Sequence, residues 1–166
     1  MSGLVTYSKI FINLGGATLK QKAGTNNTPI LIGTNVSNVA VVNGSFDGNK
    51  LNVTGNLAGG IQFVGSTAVS IKNIVFDSIR RICINCDSSA QVNIDTVQCT
   101  NAGVAGVSIG TLIAVVNSSE NVKVNGASIS SSEGVGIQVF NSNQVSVENY
   151  RAQNIGGDNG LVVQGS

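Results

Sequence analysis

Two acidic and two basic residues of this chain have the types and spacing that chemistry would need. Asp47 and Asp77 fall at the ninth position of two successive copies of a repeat, 30 residues apart. If the copies stack as neighbouring strands, their Cα atoms lie about 5 Å apart. Two close carboxylates can split their pKa values and share acid and base roles. They are also oxygen ligands of the kind Ca2+ takes, although nothing else in the sequence calls for a metal or a cofactor. The plainer reading is two solvated turn residues, since Asp47-Gly48 and Asp77-Ser78 both favour turns. Arg80 and Arg81 follow closely, and a planar guanidinium fork suits a carboxylate or sulfate on a sugar. They too have a plainer reading, as a solvated loop. Asp47 and Asp77 are thus the candidate catalytic residues, and Arg80 and Arg81 the candidate substrate-binding ones. The chain has no histidine. That excludes Ser–His–Asp and Cys–His catalysis and every histidine metal site within it.

These residues must be positioned by a coiled chain. Val39–Gly48, Val69–Ser78, Val92–Asn101, Val122–Ser131 and Val145–Asn154 can be laid over one another. Each opens on Val. The third residue is Val41, Ile71, Ile94, Val124 or Val147, and the fifth is Asn43, Asn73, Thr96, Gly126 or Asn149. The anchor valines recur at intervals of 30, 23, 30 and 23 residues. A repeat of this length means that the chain coils and that each coil stacks on the last. Alternation of apolar and polar residues predicts three short strands per coil. The first carries the anchor and the residue two later, and the second carries pairs such as Ile74/Phe76. The third precedes the anchor, with inward residues Leu31/Gly33, Ile61/Phe63, Ile84/Cys86, Ala114/Val116 and Ile137/Val139. Leu161/Val163 open a sixth coil, and residues 1–38 read as a less regular early one. The expected fold is all-β, a right-handed parallel β-helix of about six coils. Its hand rests on the usual crossover rule. The Asn-rich fifth position suits a left-handed turn and a ladder of amides along the stack.

The extra residues of the long intervals fall at one corner. Gly48–Gly60 and Asn101–Ile113 are long, while Ser78–Cys83, Ser131–Gly136 and Asn154–Gly160 are short. Two long loops should therefore wall a notch about 10 Å wide, two rung spacings. Arg80 and Arg81 would form its floor, and Asp47 and Asp77 its rim. Lys72 and Asp95 should stack on another face as a surface pair.

Composition fits a folded soluble chain, with 42 % hydrophobic and 10 % charged residues among 166. Net charge is +1, with no basic run and no interleaved aromatics, which argues against nucleic-acid binding. No stretch approaches the roughly 20 apolar residues of a membrane helix. Cys83 and Cys86 read as C-x-x-C within a predicted strand. Residues three apart on a strand point to opposite faces, so they are not expected to pair. Cys86 and Cys99 take positions that are apolar in other coils and are expected as small core residues. The N-x-[ST] triplets at Asn26, Asn35, Asn43, Asn52 and Asn117 are expected by chance in so Asn-rich a chain.

Gly16-Ala17-Thr18-Leu19-Lys20, Ile30-Leu31-Ile32, Ser37-Asn38-Val39 and Phe46-Asp47-Gly48-Asn49 resemble the early coils of the pectate-lyase-like β-helix superfamily. Phage tailspikes and tail-associated depolymerases share that look. The resemblance implies an extracellular polysaccharide as ligand, often a trimer, and lyase or hydrolase chemistry. It also implies a location outside the cell or on a virion surface. The sequence departs from that pattern by lacking the N-terminal region that commonly precedes Gly-Ala-Thr and by ending as a coil begins, so residues 1–166 are expected to be a single β-helix domain that is a segment of a longer protein. Three functions follow as expectations. One is a polysaccharide-recognising segment of a tailspike or adhesin. Another is a lyase or glycoside hydrolase acting on an acidic glycan through carboxylates and Arg. The third is a structural fibre shaft, which the scarcity of aromatic sugar platforms favours.

Overall fold

The computed structural model describes residues 3–24, 27–55, 59–105, 110–156 and 160–165. Among these residues the chain forms strands and turns and no helix. One sheet holds seven parallel strands in spatial order: β1 (Leu4–Val5), β4 (Leu31–Thr34), β6 (Ile61–Val64), β8 (Ile82–Asp87), β10 (Thr111–Val116), β12 (Ile137–Phe140) and β15 (Leu161–Gln164). The other stacks β2 (Ile10–Asn13), β5 (Ser37–Asp47), β7 (Thr67–Asp77), β9 (Ala90–Thr100), β11 (Glu120–Ser132) and β13 (Asn143–Glu148). There β3 (Thr18–Lys20) pairs with β5, and β14 (Arg151–Ile155) with β11. The chain alternates between the sheets and makes about six turns of a parallel β-solenoid.

The repeat positions pair as the sequence predicts. Val39, Val69, Val92, Val122 and Val145 are successive partners, as are Val41, Ile71, Ile94, Val124 and Val147. All are buried except Val145 and Val147, which are partly so. The three predicted strands per coil are resolved differently. The first two form one strand in β5, β7, β9 and β11, and they separate only at β2/β3 and β13/β14. The bend between them is a single residue of left-handed backbone at the fifth position, with φ of 59° at Asn43, 54° at Asn73, 53° at Thr96, 66° at Gly126 and 53° at Asn149. One such residue turns the chain by a face without releasing the ladder. Left-handed columns recur elsewhere in the coil. One stands just before each anchor, at Asn38, Ala68, Gln91, Asn121 and Gln144. Another lies past the second flat, at Asn49, Ser78, Asn101, Ser131 and Asn154. Asn tolerates this region best, which explains its abundance.

The expected amide ladder is present in part. Asn43 Nδ2 donates to Asn13 Oδ1 at 3.3 Å, and Asn73 Nδ2 to Asn43 Oδ1 at 3.1 Å. Thr96 and Gly126 then interrupt it. A second column, not anticipated, is built of serine. Ser66, Ser89 and Ser119 are 0–1 % exposed. The backbone N–H of Val36 donates to Ser66 Oγ, that of Ser66 to Ser89 Oγ, and that of Ser89 to Ser119 Oγ, at 3.0–3.3 Å. Each hydroxyl donates in turn to a carbonyl of its own corner, at Val64, Asp87 and Val116. The buried hydroxyls of this corner thus both accept and donate within the chain, as buried polar groups require.

Packing across the interior balances large against small. A Cβ on Gly33 would meet the Phe63 ring at 2.6 Å, and one on Gly44 would meet Leu14 at 2.3 Å. Phe46 and Phe76 stack with ring centroids 5.4 Å apart. Three expectations need correction. The inward residues of β10 are Ile113 and Val115, not Ala114 and Val116, since Ile113 pairs with Ile84 and Val115 with Cys86. Leu112 through Val115 are all apolar and buried, so alternation there carried no signal. Cys83 and Cys86 do not lie on opposite faces. Both are fully buried, because Cys83 and Ile84 are consecutive inward residues where the chain rounds a corner. The long loops Gly48–Gly60 and Asn101–Ile113 lie partly outside the described residues, as does Asn26. By the β10 register, the second loop closes at Leu112.

Candidate functional site

Three of the four residues singled out by type and spacing line two separate clefts, and Arg80 lines neither. Asp47 and Asp77 are direct partners in the β5–β7 register, so the stacking prediction holds. They line a cleft of about 460 Å3 with Lys20, Asn49, Lys50, Asn52 and Asn101. Lys20 Nζ lies 2.6 Å from Asp47 Oδ2, and the Asn49 N–H donates to Asp47 Oδ1 at 2.8 Å. Asp77 Oδ1 accepts from Thr100 Oγ1 at 2.8 Å and from Asn101 Nδ2 at 3.0 Å. Its Oδ2 accepts from Ser78 Oγ at 3.0 Å. Partial burial pushes the Asp77 pKa up, but the donors on Thr100, Asn101 and Ser78 outweigh it, and the carboxyl is held below its ordinary value. Both carboxyls are well supplied with donors. They do not fit a calcium ion, since Lys20 already neutralises Asp47 and the Asp77 oxygens accept from three side chains. Among the described residues no cluster of three His, Cys, Asp or Glu could hold a metal.

Arg80 and Arg81 have different surroundings. Arg80 is half-buried, and its Nη1 donates to the Lys50 carbonyl at 3.2 Å, fastening the loop that walls the Asp47/Asp77 cleft. Arg81 instead lines a groove of about 320 Å3 on the outer face of the seven-stranded sheet. The floor of this groove is one outward column. Gln62 pairs with Asn85, Asn85 with Ala114, and Ala114 with Gln138. Asn27, Pro29, Gly59, Ile61, Ile82 and Val116 complete the lining with Arg81. Four strands, β6 to β12, cross the floor, giving a run of about 14 Å along the solenoid. Amide side chains present a donor and an acceptor each, and Arg81 adds a charged fork.

Sequence reasoning missed this column. Each member is the residue between two inward positions of the third strand. Its β10 member, Ala114, is apolar and breaks the run of amides between Asn85 and Gln138, so the outward positions did not read as a column. Lys20, Asn49, Lys50 and Asn101 were missed for another reason. They come from turns of different coils, and only the stacking brings them to one cleft. Lys72 and Asp95 do form the expected surface pair, at 3.1 Å. The Lys72 ammonium, then the Thr96 hydroxyl, hold the Asp95 carboxyl below its ordinary value.

The fold and its two clefts define a parallel β-solenoid with polar recesses on an outer sheet face and at one corner. No family model and no curated protein matches the chain. Among solved structures, the crystal structure of a candidate glycosyl hydrolase from Parabacteroides merdae matches it with a TM-score of 0.57. Identity is 13 %, over 95 % of this chain and 76 % of that one. At that identity the likeness is one of fold.

Proposed function

We propose that this protein recognises a polysaccharide outside the cell, with the outer face of the seven-stranded sheet as its binding floor. The observation that carries this reading is the column Gln62–Asn85–Ala114–Gln138 beside Arg81. Rungs of a parallel sheet repeat about every 4.8 Å, close to the length of a sugar unit in an extended glycan. The amides of Gln62 and Asn85 can thus meet successive sugars in register, with that of Gln138 two rungs further on, past Ala114. Arg81 would select a unit bearing a carboxylate or sulfate. Tailspike or adhesin segments of this architecture, including trimeric ones, would present such a face along their length.

A hydrolase or lyase reading keeps one observation in its favour, the register pairing of Asp47 with Asp77. Stacked carboxylates can approach the roughly 5–5.5 Å separation of a retaining glycosidase pair. The donors around both work against it. A general acid needs a raised pKa, and Asp77 is shifted the other way. Recognition without turnover is therefore the stronger reading.

Titration of acidic and neutral oligosaccharides by calorimetry tests it. Arg81→Ala should weaken binding of an acidic oligosaccharide by about 1–3 kcal/mol, the value of a charged hydrogen bond. Gln62→Ala with Asn85→Ala should weaken acidic and neutral ligands alike. Unchanged binding in the Arg81 and amide variants would leave the structural shaft as the better reading. Turnover that disappears in Asp77→Asn would restore the enzyme.

A further inference from the structure

We propose that Cys83 and Cys99 form a latent crosslink: two facing thiols, one on each sheet, that a small disulfide oxidant such as oxidised glutathione converts into an intrachain disulfide. The placement follows from the stack. Cys83 lies one rung on from Gly60, because Ile84 pairs with Ile61 in the β6–β8 register. Cys99 lies one rung on from Phe76, its direct partner in β7–β9. Gly60 and Phe76 face each other across the interior, for a Cβ on Gly60 would meet Phe76 Cε1 at 2.7 Å. Advancing both by one coil sets Cys83 opposite Cys99. Burial, and after it the neighbouring Cys99 thiol, push the Cys83 thiol well up. Cys83 is 0 % and Cys99 1 % exposed. The third cysteine is placed elsewhere. Cys86 stacks between Phe63 and Val115.

The step balances as two thiol–disulfide exchanges. One cysteine thiolate attacks a sulfur of oxidised glutathione and expels one glutathione thiolate. The other cysteine thiolate then displaces the second glutathione, forming the protein S–S bond. Both thiol protons end on the two molecules of reduced glutathione. The protein pair is oxidised and the glutathione disulfide is reduced. Thiols shut away from solvent exchange slowly, so the bond forms while the chain folds and stays shielded afterwards. It would join β8 of one sheet to β9 of the other within a single coil. The inference stands apart from the polysaccharide reading.

The test is to refold the whole chain from urea in a buffer of oxidised and reduced glutathione, and in parallel with a reductant. Free thiols are counted after denaturation, and proteolytic fragments are mapped by mass spectrometry. Expected are one free thiol in place of three, a fragment linking Cys83 to Cys99, and an unfolding constant lowered by roughly 100-fold for a loop of this length. Cys86→Ser should behave in the same way. Three free thiols in the folded, oxidatively refolded protein, or a crosslink that includes Cys86, would overturn it.

Discussion

At the scale of single residues, the chain's most informative side chain is Asp77. Its type and repeat position mark it as chemistry, and its surroundings mark it as structure. Three hydroxyl and amide donors from its own and the next coil hold the carboxylate. A folded-state pKa below 3.8 means that this group stabilises the fold above that value. The contribution is lost as pH falls through the folded pKa. Asp77→Asn should therefore cost about 1 kcal/mol near neutral pH, in line with one net hydrogen bond at a half-exposed site. The gap to the unsubstituted protein should close in acid, as followed by urea unfolding at a series of pH values. A gap constant down to the lowest pH would show that the donors do not need the charge. Asp47 illustrates why the candidate site was only half legible. Its partnership with Asp77 follows from repeat counting. Its partnership with Lys20 does not, because Lys20 belongs to an early coil outside the regular repeat.

At the scale of elements, the unit is the bent strand. One left-handed residue lets β5, β7, β9 and β11 serve two faces without a break. The sequence showed where this corner falls, because Asn is frequent there. It hid the corner's continuity, because an αL residue flanked by apolar pairs reads as a loop between strands. The register of β10 was hidden for a related reason, an apolar run without alternation. Thr96 is the weak corner. A β-branched residue at φ 53° is strained, and it interrupts the amide ladder below Asn73. Thr96→Asn should relieve the strain and extend the ladder, raising stability by about 1 kcal/mol. Loss of the Thr96 hydroxyl bond to Asp95, at 3.1 Å, is the small opposing change. Chemical denaturation of the variant measures the sum, and a destabilised protein would place the strain elsewhere.

At the scale of the whole molecule, the core is a set of parallel columns, and Ile94 stands in the middle of one. It is 0 % exposed, with Ile71 and Val124 as its strand partners. Ile94→Asp would place an unpaired carboxylate in that column at a cost of several kcal/mol, comparable to the whole stability of a domain this size. The variant should lose its cooperative thermal transition by circular dichroism. A soluble variant that melts cooperatively would contradict the column. The same stacking also decides how the solenoid would behave under a mechanical load. Bonds between coils run along the solenoid axis, and each coil holds only its neighbours. A pull between the two ends therefore loads the coil interfaces in series, and the weakest one parts first. From Val36 to Ser119 the serine column adds a buried bond at each step. Beyond Ser119 the next hydroxyl of the column, on Ser142, serves only its own corner. Under tension the final coils would peel away first, and the serine-pinned middle would hold as one stiff block.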